Sequence, residues 1–490
     1  MQPKQSQIST LSSRSPAAMR KLALALFIST LSAQGVADTF ETDSTQQRQW
    51  LAGEHHAHTH WSVKWDKSTS PWSPIKGGDS EHSYLDNAQA AQKYGLSWLV
   101  NTDHGGPEHS KLLDNKAYPE LLAARESVPA VHQFFGIELD VPAGEHATVM
   151  MPINSDEREV LVNFQRDYSI REYRNKTRNR NNVEHMQKGI AYLASQAEKP
   201  IIIKNHPSRQ ATGLNEWARV TPEKLMTWHQ TDPEVFIGMV GTPGHQAARG
   251  ARGSYFKYGT FRGADQMTAV VGGVWDHILG NGMRFWITSS ADSHTHTSVG
   301  GRDFWPGEYN KTYVYARNEP ADIMDGLRHG RSFIVFGDLI SGLNAELTDG
   351  NTNQQSNNSA SLGETLVVSS DKDKLSLKLE LKLSEGKNAN GDMPVLNRID
   401  VITGAVDPAI ANEPNANSTT QVIQRIDQSQ WQVKDNTIAL TIDIPREHQN
   451  GYLRLRGTST DILEPTRQQG NQSPWQDLWF YSNPIFWHQQ

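Results

Sequence analysis

The chain has 490 residues, 36% of them hydrophobic and 21% charged, with a formal charge of −7 and no cysteine. That length suits two folded units plus a leader, and the composition excludes both disorder and a membrane bundle. The acidic balance argues against general binding to nucleic acid or anionic membranes, and the lack of cysteine excludes disulfides and thiolate metal sites.

Met19-Arg-Lys opens onto the apolar run Leu22-Ala-Leu-Ala-Leu-Phe-Ile, and small residues follow as far as Ala37. A basic start, a short apolar segment and a small-residue cleavage site make residues 1–37 a secretory signal. A membrane anchor is the competing reading, against which the run falls well short of the roughly 20 residues that span a bilayer. The mature chain is therefore expected to be exported, periplasmic or secreted, without a membrane span. Cleavage after Ala37 removes Lys4, Arg14, Arg20 and Lys21 and no acid, which takes the formal charge from −7 to −11. Residues 38–49 read as a loose polar arm.

The first dense cluster is Leu51-Ala-Gly-Glu54-His55-His56-Ala57-His58-Thr59-His60. In a strand, His56 and His58 project to one face while His55 and Ala57 project to the other, so the His-x-His pair is the expected chelate. A solvated polyhistidine-like loop is the bland alternative. Residues 62–83 read as a Trp-, Ser-, Pro- and Gly-rich loop too polar for a regular element, and residues 80–94 as a helix ending at Gly95. An apolar strand then ends in Asp103-His104 and two glycines, and another, from Val131, ends in Glu138. His146 follows and opens the apolar run 147–153. After a helix over 183–198, a strand from Pro200 ends in His206, with Arg209 three residues on. The strand Arg284-Phe-Trp-Ile-Thr leads to Ser289-Ser-Ala-Asp292-Ser-His294, where the Asp and His, two apart, point to one side. Short strand, helix, short strand is how parallel sheets are assembled, and such strand ends, all carrying chemistry, mark a barrel-type α/β active site.

His56-Ala-His58-Thr, Thr102-Asp103-His104, Gly136-Ile-Glu138 with His146, His206-Pro207 and Asp292-Ser-His294, in this order, resemble the successive motifs of the polymerase-and-histidinol-phosphatase (PHP) superfamily. The resemblance covers roughly residues 50–337. It implies a distorted, TIM-like (β/α)7 barrel carrying two or three divalent metals at its mouth, and hydrolysis of phosphate esters. By the same resemblance His56, His58, Glu138 and Asp292 correspond to ligands of a first metal, with Glu138 bridging to a second held with His146 and His206. His104 and His294 correspond to ligands of a third, and Asp103 to its second-shell or proton-handling neighbour. The family usually continues His-x-His-Thr into Ser-Asp-Gly, whereas here Ser62 is followed by Val63-Lys64, which leaves Asp66, Asp79 and His60 as candidates for that place. Zinc, manganese and iron all suit such donors.

The chemistry follows from charge: a phosphate ester is anionic and resists water, so its hydrolysis calls for positive charge and an activated nucleophile. Asp103, or a histidine near the leaving group, is the expected general acid. Arg209 is expected to hold a phosphate oxygen, a surface arginine being the alternative. His55, His109, His132, His245 and His296 read as packing or surface histidines. The insertion 155–182 carries Arg166, Arg171, Arg174, Lys176, Arg178 and Arg180 among interspersed acids, which favours a solvated helix over a basic wall. Residues 244–282, rich in Gly and aromatics, including Arg249 and Arg252, read as a lid or specificity loop.

A helix over 322–329 and a strand over 330–337 close the first domain. After the polar loop 349–361, the alternation Leu375-Ser-Leu-Lys-Leu-Glu-Leu-Lys-Leu and further short strands at 399–402, 421–426, 437–444, 452–457 and 479–487 predict an all-β, immunoglobulin-like sandwich over 338–490. It carries no ligand cluster and reads as a structural or docking module, with carbohydrate or partner binding as the alternative. The expected function is hydrolysis of a small anionic phosphate mono- or diester, with no nucleic acid as a stable partner. A metal-dependent hydrolase of a non-phosphorus ester or amide bond, and a non-catalytic metal-binding protein, are the competing readings.

Overall fold

The computed structural model describes residues 47–172, 179–244, 252–350, 358–468 and 473–490. The signal segment 1–37, residues 38–46 of the arm, Arg174, Lys176, Arg178, His245 and Arg249 lie outside the described residues. A mixed α/β architecture is built on one fifteen-stranded sheet, with short helices on its flanks.

Nine strands carry the first part of that sheet: β1 (Gln49–Ala57), β2 (Trp98–His104), β3 (His132–Asp140), β4 (His146–Met150), β5 (Ile201–Lys204), β6 (Phe236–Pro243), β7 (Trp286–Ser290), β8 (Asn310–Ala316) and β9 (Ser332–Phe336). Residues on both faces of most of them are buried, so apolar runs such as Ile201–Ile203 stand in place of a simple alternation. From β1 to β7 neighbours pair in chain order, parallel except that β4 runs against both β3 and β5. That reversal matters for the site. Asp140 pairs with His146, so the start of β4 lies at the end of the sheet where its neighbours finish.

The run also turns back on itself. The Asp292 amide donates to the His56 carbonyl and the His58 amide to the Ser293 carbonyl, both at 2.8 Å, so the chain leaving β7 sits against the end of β1. On the other edge of β1, β8 and then β9 add as antiparallel strands.

The helix Tyr84–Lys93 is fixed by a reciprocal cap, with Ser83 and Asp86 each satisfying the other's backbone amide, and stops before Gly95 at φ 76°. Tyr84, Asn87, Ala88 and Ala91 give it one buried stripe. Glycine is required where β6 meets β7: a Cβ on Gly238 would lie 2.0 Å from the Trp286 carbonyl oxygen. Gly238→Ala should lower unfolding free energy by about 1–3 kcal/mol through forced strand separation; a chemical-denaturation midpoint equal to that of the parent would contradict this.

Several expectations need correction. The stretch 62–83 does contain regular structure, a short hairpin of Lys64–Asp66 with Ser73–Ile75, whose Trp65 packs against Gly106. Within 244–282 the described part holds the helices Gln266–Ala269 and Val274–Gly280, and it is pinned rather than lid-like. Thr260 accepts from the Gln468 amide at 2.8 Å, and Asp477 takes Arg252 and Arg262 at 3.4 and 3.2 Å. The expected strand 479–487 is two, Trp479–Ser482 and Ile485–Gln489, parted around Pro484, which cannot donate to a ladder.

Beyond residue 338 the strands divide between two sheets. Ile340–Thr348, Lys374–Leu383 and Thr437–Pro445 form the body of a separate five-stranded antiparallel sheet. Its central strand buries Leu375, Leu377, Leu379 and Leu381 and turns Lys374, Lys378, Glu380 and Lys382 outward, as the alternation dictates. The others do not close into a unit of their own: Trp479–Ser482 pairs with β9, so the large sheet continues through it into Gly451–Thr458 and Arg398–Ala405. An exposed β9 edge would invite association, and this pairing covers it. Two buried polar links reinforce the seam. Asp276, on the helix Val274–Gly280, takes Arg454 Nε and Nη2 at 2.8 and 2.7 Å. Asn483 accepts from the Ile287 amide at 2.9 Å and donates to Ser332 Oγ at 2.8 Å, bridging β7 and β9.

Candidate metal centre

The eight residues expected as ligands converge where β1 to β7 end. Alternation along β1 places His56 and His58 together, Nε2 to Nε2 3.2 Å, while His55 turns away to Thr148 and Thr288. Asp292 Oδ1 lies 3.2 Å from His56 Nε2 and 2.9 Å from His58 Nε2. Glu138 is the hub. Its Oε1 lies 3.2 Å from His56, 3.2 Å from His146 and 3.3 Å from His206, and its Oε2 2.8 Å from His104 Nδ1 and 3.6 Å from His58. His294 stacks on His58 with centroids 3.8 Å apart.

Three donor sets emerge in which the ligand atoms lie within 4.8 Å of one another: His56, His58, Glu138 and Asp292; His104, Glu138 and His146; and His58, His104 and His294. Whether the donors fit cations can be judged from their hydrogen bonding. His104 Nδ1 lies 2.8 Å from Glu138 Oε2, both atoms buried, so the imidazole and the carboxylate aim at a common point, as ligands do. Burial pushes the His58 imidazole down to about 3 and that of His206 well below its ordinary value, so both lone pairs are available. Burial alone would raise the Glu138 carboxyl, but the imidazoles of His146, His104 and His56 outweigh it and hold the group well below the usual range. The residues present therefore fit divalent cations, and Glu138 fits a bridging position.

The outer nitrogens are oriented. His56 Nδ1 meets Ser290 Oγ at 3.0 Å and His58 Nδ1 meets Ser62 Oγ at 3.1 Å, which fixes the rings so that Nε2 points inward. His206 and Asp292 have φ of 28° and 48°, a region costly for residues with a Cβ. Such strain persists only where the surroundings hold it.

Of Asp66, Asp79 and His60, Asp79 is the one at the site. Its Oδ2 lies 3.5 Å from His294 Nε2, 3.8 Å from His104 Nε2 and 3.3 Å from Ser62 Oγ. Asp66 caps Ser68 in the hairpin, and His60 pairs with Glu120 at 2.9 Å.

Asp103 and Arg209, the other two site candidates, lie behind the ligands. Asp103 is fully buried, its oxygens taking the Thr59 amide at 2.6 Å and hydroxyl at 2.8 Å, and burial pushes it up to about 6. It therefore positions the turn after His58. Arg209 donates to Glu145 at 2.9 Å behind His146, so the guanidinium is already held. Of the bland histidines, His109 bonds the Trp61 carbonyl, His132 meets Asn318, and His296 stacks on Trp305 at 3.4 Å.

Residues not anticipated complete the surroundings. Asn205 donates to Glu138 Oε1 at 3.0 Å. Asp140 holds His146 Nε2 at 3.2 Å and Arg171 Nε at 2.7 Å. Glu54 accepts from the His56 and Ala291 amides, tying β1 to the chain after β7. The one available signal was adjacency: Asn205 precedes His206, and Glu54 lies two before His56. Beside His104 and Asp79 opens a cavity of about 440 Å³, whose lining includes Trp65, Trp72, Lys64, Lys67 and Arg171.

No protein-family model and no curated protein matches the chain. Solved structures with similarity include a two-domain protein from Bacteroides vulgatus containing a predicted PHP-like metal-dependent phosphoesterase, at 11% identity and TM-score 0.38, covering 87% of this chain and 94% of that one. PsfC from Pseudomonas syringae is similar at 14% identity and TM-score 0.30, covering 56% and 86% respectively. A lesion-specific endonuclease from Pyrococcus furiosus is similar at 12% identity and TM-score 0.33, covering 58% and 56%. At such identities the chemistry of the site rests on its own residues.

Proposed function

We propose that this protein is an exported, metal-dependent hydrolase of phosphate esters, working from the mouth of a distorted (β/α)7 barrel formed by β1 to β7, with residues 338–490 as a sandwich-like companion. The observation that carries the reading is the Glu138 carboxylate set among the imidazoles of His56, His104, His146 and His206, with Asp292 on the far side. Export is supported by the leader pattern of residues 1–37. Among the described residues no helix is long and apolar enough to cross a membrane.

His56, His58, Glu138 and Asp292 would hold one cation, Glu138 with His146 and His206 a second, and His104 with His294 a third, Asp79 standing beside them. When bound, such cations supply Lewis acidity toward phosphoryl oxygens and bring the pKa of a water toward 7. The chain supplies the rest. Neutral imidazoles leave the positive charge uncancelled, while Ser62, Ser290 and Asn205 keep the donors aimed. Arg171, with a side chain 40% exposed and Nε on Asp140, offers its outer edge to a phosphate oxygen, a task for which the half-buried Arg209, held by Glu145, is less available.

The mature protein, reconstituted separately with zinc, manganese and iron, should hydrolyse p-nitrophenyl phosphate or its bis-ester, lose that activity on chelation and regain it on metal return. The ratio of the two rates assigns mono- or diesterase, with Asp292→Ala as the control for contaminating enzyme. Two or more bound metals per chain with no turnover of either ester would transfer the assignment to a carboxylic ester or amide bond.

A further inference from the structure

The turn that carries His206 is bent sharply. His206 has φ of 28°, Pro207 follows it without an amide hydrogen, and the Arg209 amide donates back to the His206 carbonyl at 3.1 Å. A residue with a Cβ keeps such a backbone only where its surroundings over-determine it. On one flank Glu145 holds Arg209. On the other stands Asp265, fully buried, whose Oδ2 accepts from the Ser208 amide at 2.9 Å and from the Ser208 hydroxyl at 2.7 Å. The same oxygen accepts from the Tyr255 hydroxyl, and Oδ1 accepts from the Met267 amide at 2.8 Å. Four donors thus converge on one carboxylate, two of them from a residue two positions beyond His206. The Asp265 amide itself donates to the Gly241 carbonyl at 2.8 Å, which fixes the group to β6.

Asp265 and Tyr255 belong to the segment 252–265, whose other contacts lie in the C-terminal region. Tyr255 is buried, its ring pressed on Gly253, where φ is 68° and a Cβ would lie 2.8 Å from Tyr255 Cδ2. Asp477 takes Arg252 Nη2 at 3.4 Å and Arg262 Nη1 at 3.2 Å. The Gln468 amide donates to the Thr260 carbonyl at 2.8 Å, and Phe261 bridges Arg467. The segment therefore has the His206 turn on one side and Arg467, Gln468 and Asp477 on the other.

We infer that residues 252–265 are a brace for the second cation: Asp265 and Tyr255 are positioning residues that hold His206 in its ligating geometry, and Asp477 sets the brace from the C-terminal region. The inference rests on the second-cation assignment of the function proposed above. Neither residue is a ligand; both act through Ser208. An asparagine at 265 would have one oxygen in place of two, so its amide N–H would confront either the Met267 amide or the donors of Ser208 and Tyr255. Relaxation of the turn toward an ordinary φ would swing the His206 imidazole from Glu138 Oε1, now 3.3 Å away, while His56 and His58, on and just beyond β1, would stay in place.

The experiment titrates the metal-free full-length protein with cobalt(II), following visible absorption, whose bands report the ligand set, and binding heat. The parent should fill two or more sites, one of which is lost in His206→Ala. Asp265→Asn, which keeps the volume, should weaken that same site by about tenfold to a hundredfold, the usual cost of removing a group that orients a ligand, and leave the others unchanged. Tyr255→Phe, which removes one donor and keeps the ring, should weaken it less. Asp477→Asn should weaken it too, and adding Asp265→Asn to that variant should cost no more than Asp265→Asn alone, because both act through one brace. Asp276→Ala is the control for lost stability: it should lower the unfolding midpoint and leave the cobalt titration of the folded protein as in the parent. Equal affinities in the parent and Asp265→Asn would overturn the brace while leaving the hydrolase reading in place, as would a loss spread evenly over all sites. An unchanged titration in Asp477→Asn would overturn the part assigned to the C-terminal region. Selective loss of the His206 site in Asp265→Asn, with no phosphate ester cleaved by the parent, would support the brace and remove the hydrolase reading.

Discussion

Glu138→Gln should cut hydrolysis by about a thousandfold or more and lower the metal bound per chain, with little change in the far-ultraviolet circular dichroism spectrum. The magnitude follows from losing several kcal/mol of charge stabilisation at tenfold per 1.36 kcal/mol. Both carboxylate oxygens are used, one toward His56, His146 and His206 and the other toward His104 and His58. Glutamine keeps the volume but replaces an anion by a neutral amide, whose N–H would confront imidazole lone pairs. Elemental analysis alongside kcat and KM checks it. Activity within tenfold of the parent at equal metal content would show that Glu138 is not the bridge.

Asp276→Ala should be the most destabilising single change away from the centre, by about 3–5 kcal/mol, because it leaves the Arg454 guanidinium buried and uncompensated. Both partners are almost fully inaccessible, and the carboxylate also accepts from the Tyr452 hydroxyl at 3.0 Å and the Gly272 amide at 2.7 Å. Thermal unfolding should move down by several degrees. Replacing both partners, as Asp276→Leu with Arg454→Met, should recover most of the loss, since an apolar pair needs no compensation. If the double variant is as unstable as Asp276→Ala, the cost lies in packing against Trp275 and not in the charge. A midpoint unchanged in Asp276→Ala would remove the ion pair from any account of how the two halves hold together.

Much of the centre was legible because its ligands sit at strand ends, where local rules reach. Period-two alternation separates His56 and His58 from His55, and the two-residue spacing of Asp292 and His294 puts them on one side. Local rules fail where partners are distant. Asp79 reaches His104 and His294 only because the hairpin returns the chain after Ser62, so spacing could not distinguish it from Asp66 or His60. Glu145 meets Arg209 across 64 positions, a pairing that spacing along the chain does not show. The apolar run opening at His146 gave no hint of strand direction, since a short buried strand reads alike either way; only the pairing of Asp140 with His146 reveals the reversal. The alternating strand 374–383 was plain from one-sided burial, whereas the attachment of Trp479–Ser482 to β9 has no local signature: Phe333 and Ser482 are joined across most of the second half of the sequence.

That attachment has a bearing on the order of events at synthesis. β9 and its partner are separated by nearly 150 residues, and the Asn483 side chain that bridges Ile287 to Ser332 comes 196 and 151 positions after them. Contacts of such long range form late, because loop closure must precede them. While the chain is still emerging from the ribosome, β7, which leads into Asp292, lacks its clasp and β9 keeps an open edge. The ligand-bearing half is therefore completed late: the clasp on β7 and the cover on β9 wait on residues 480–483, which follow β9 by nearly 150 positions.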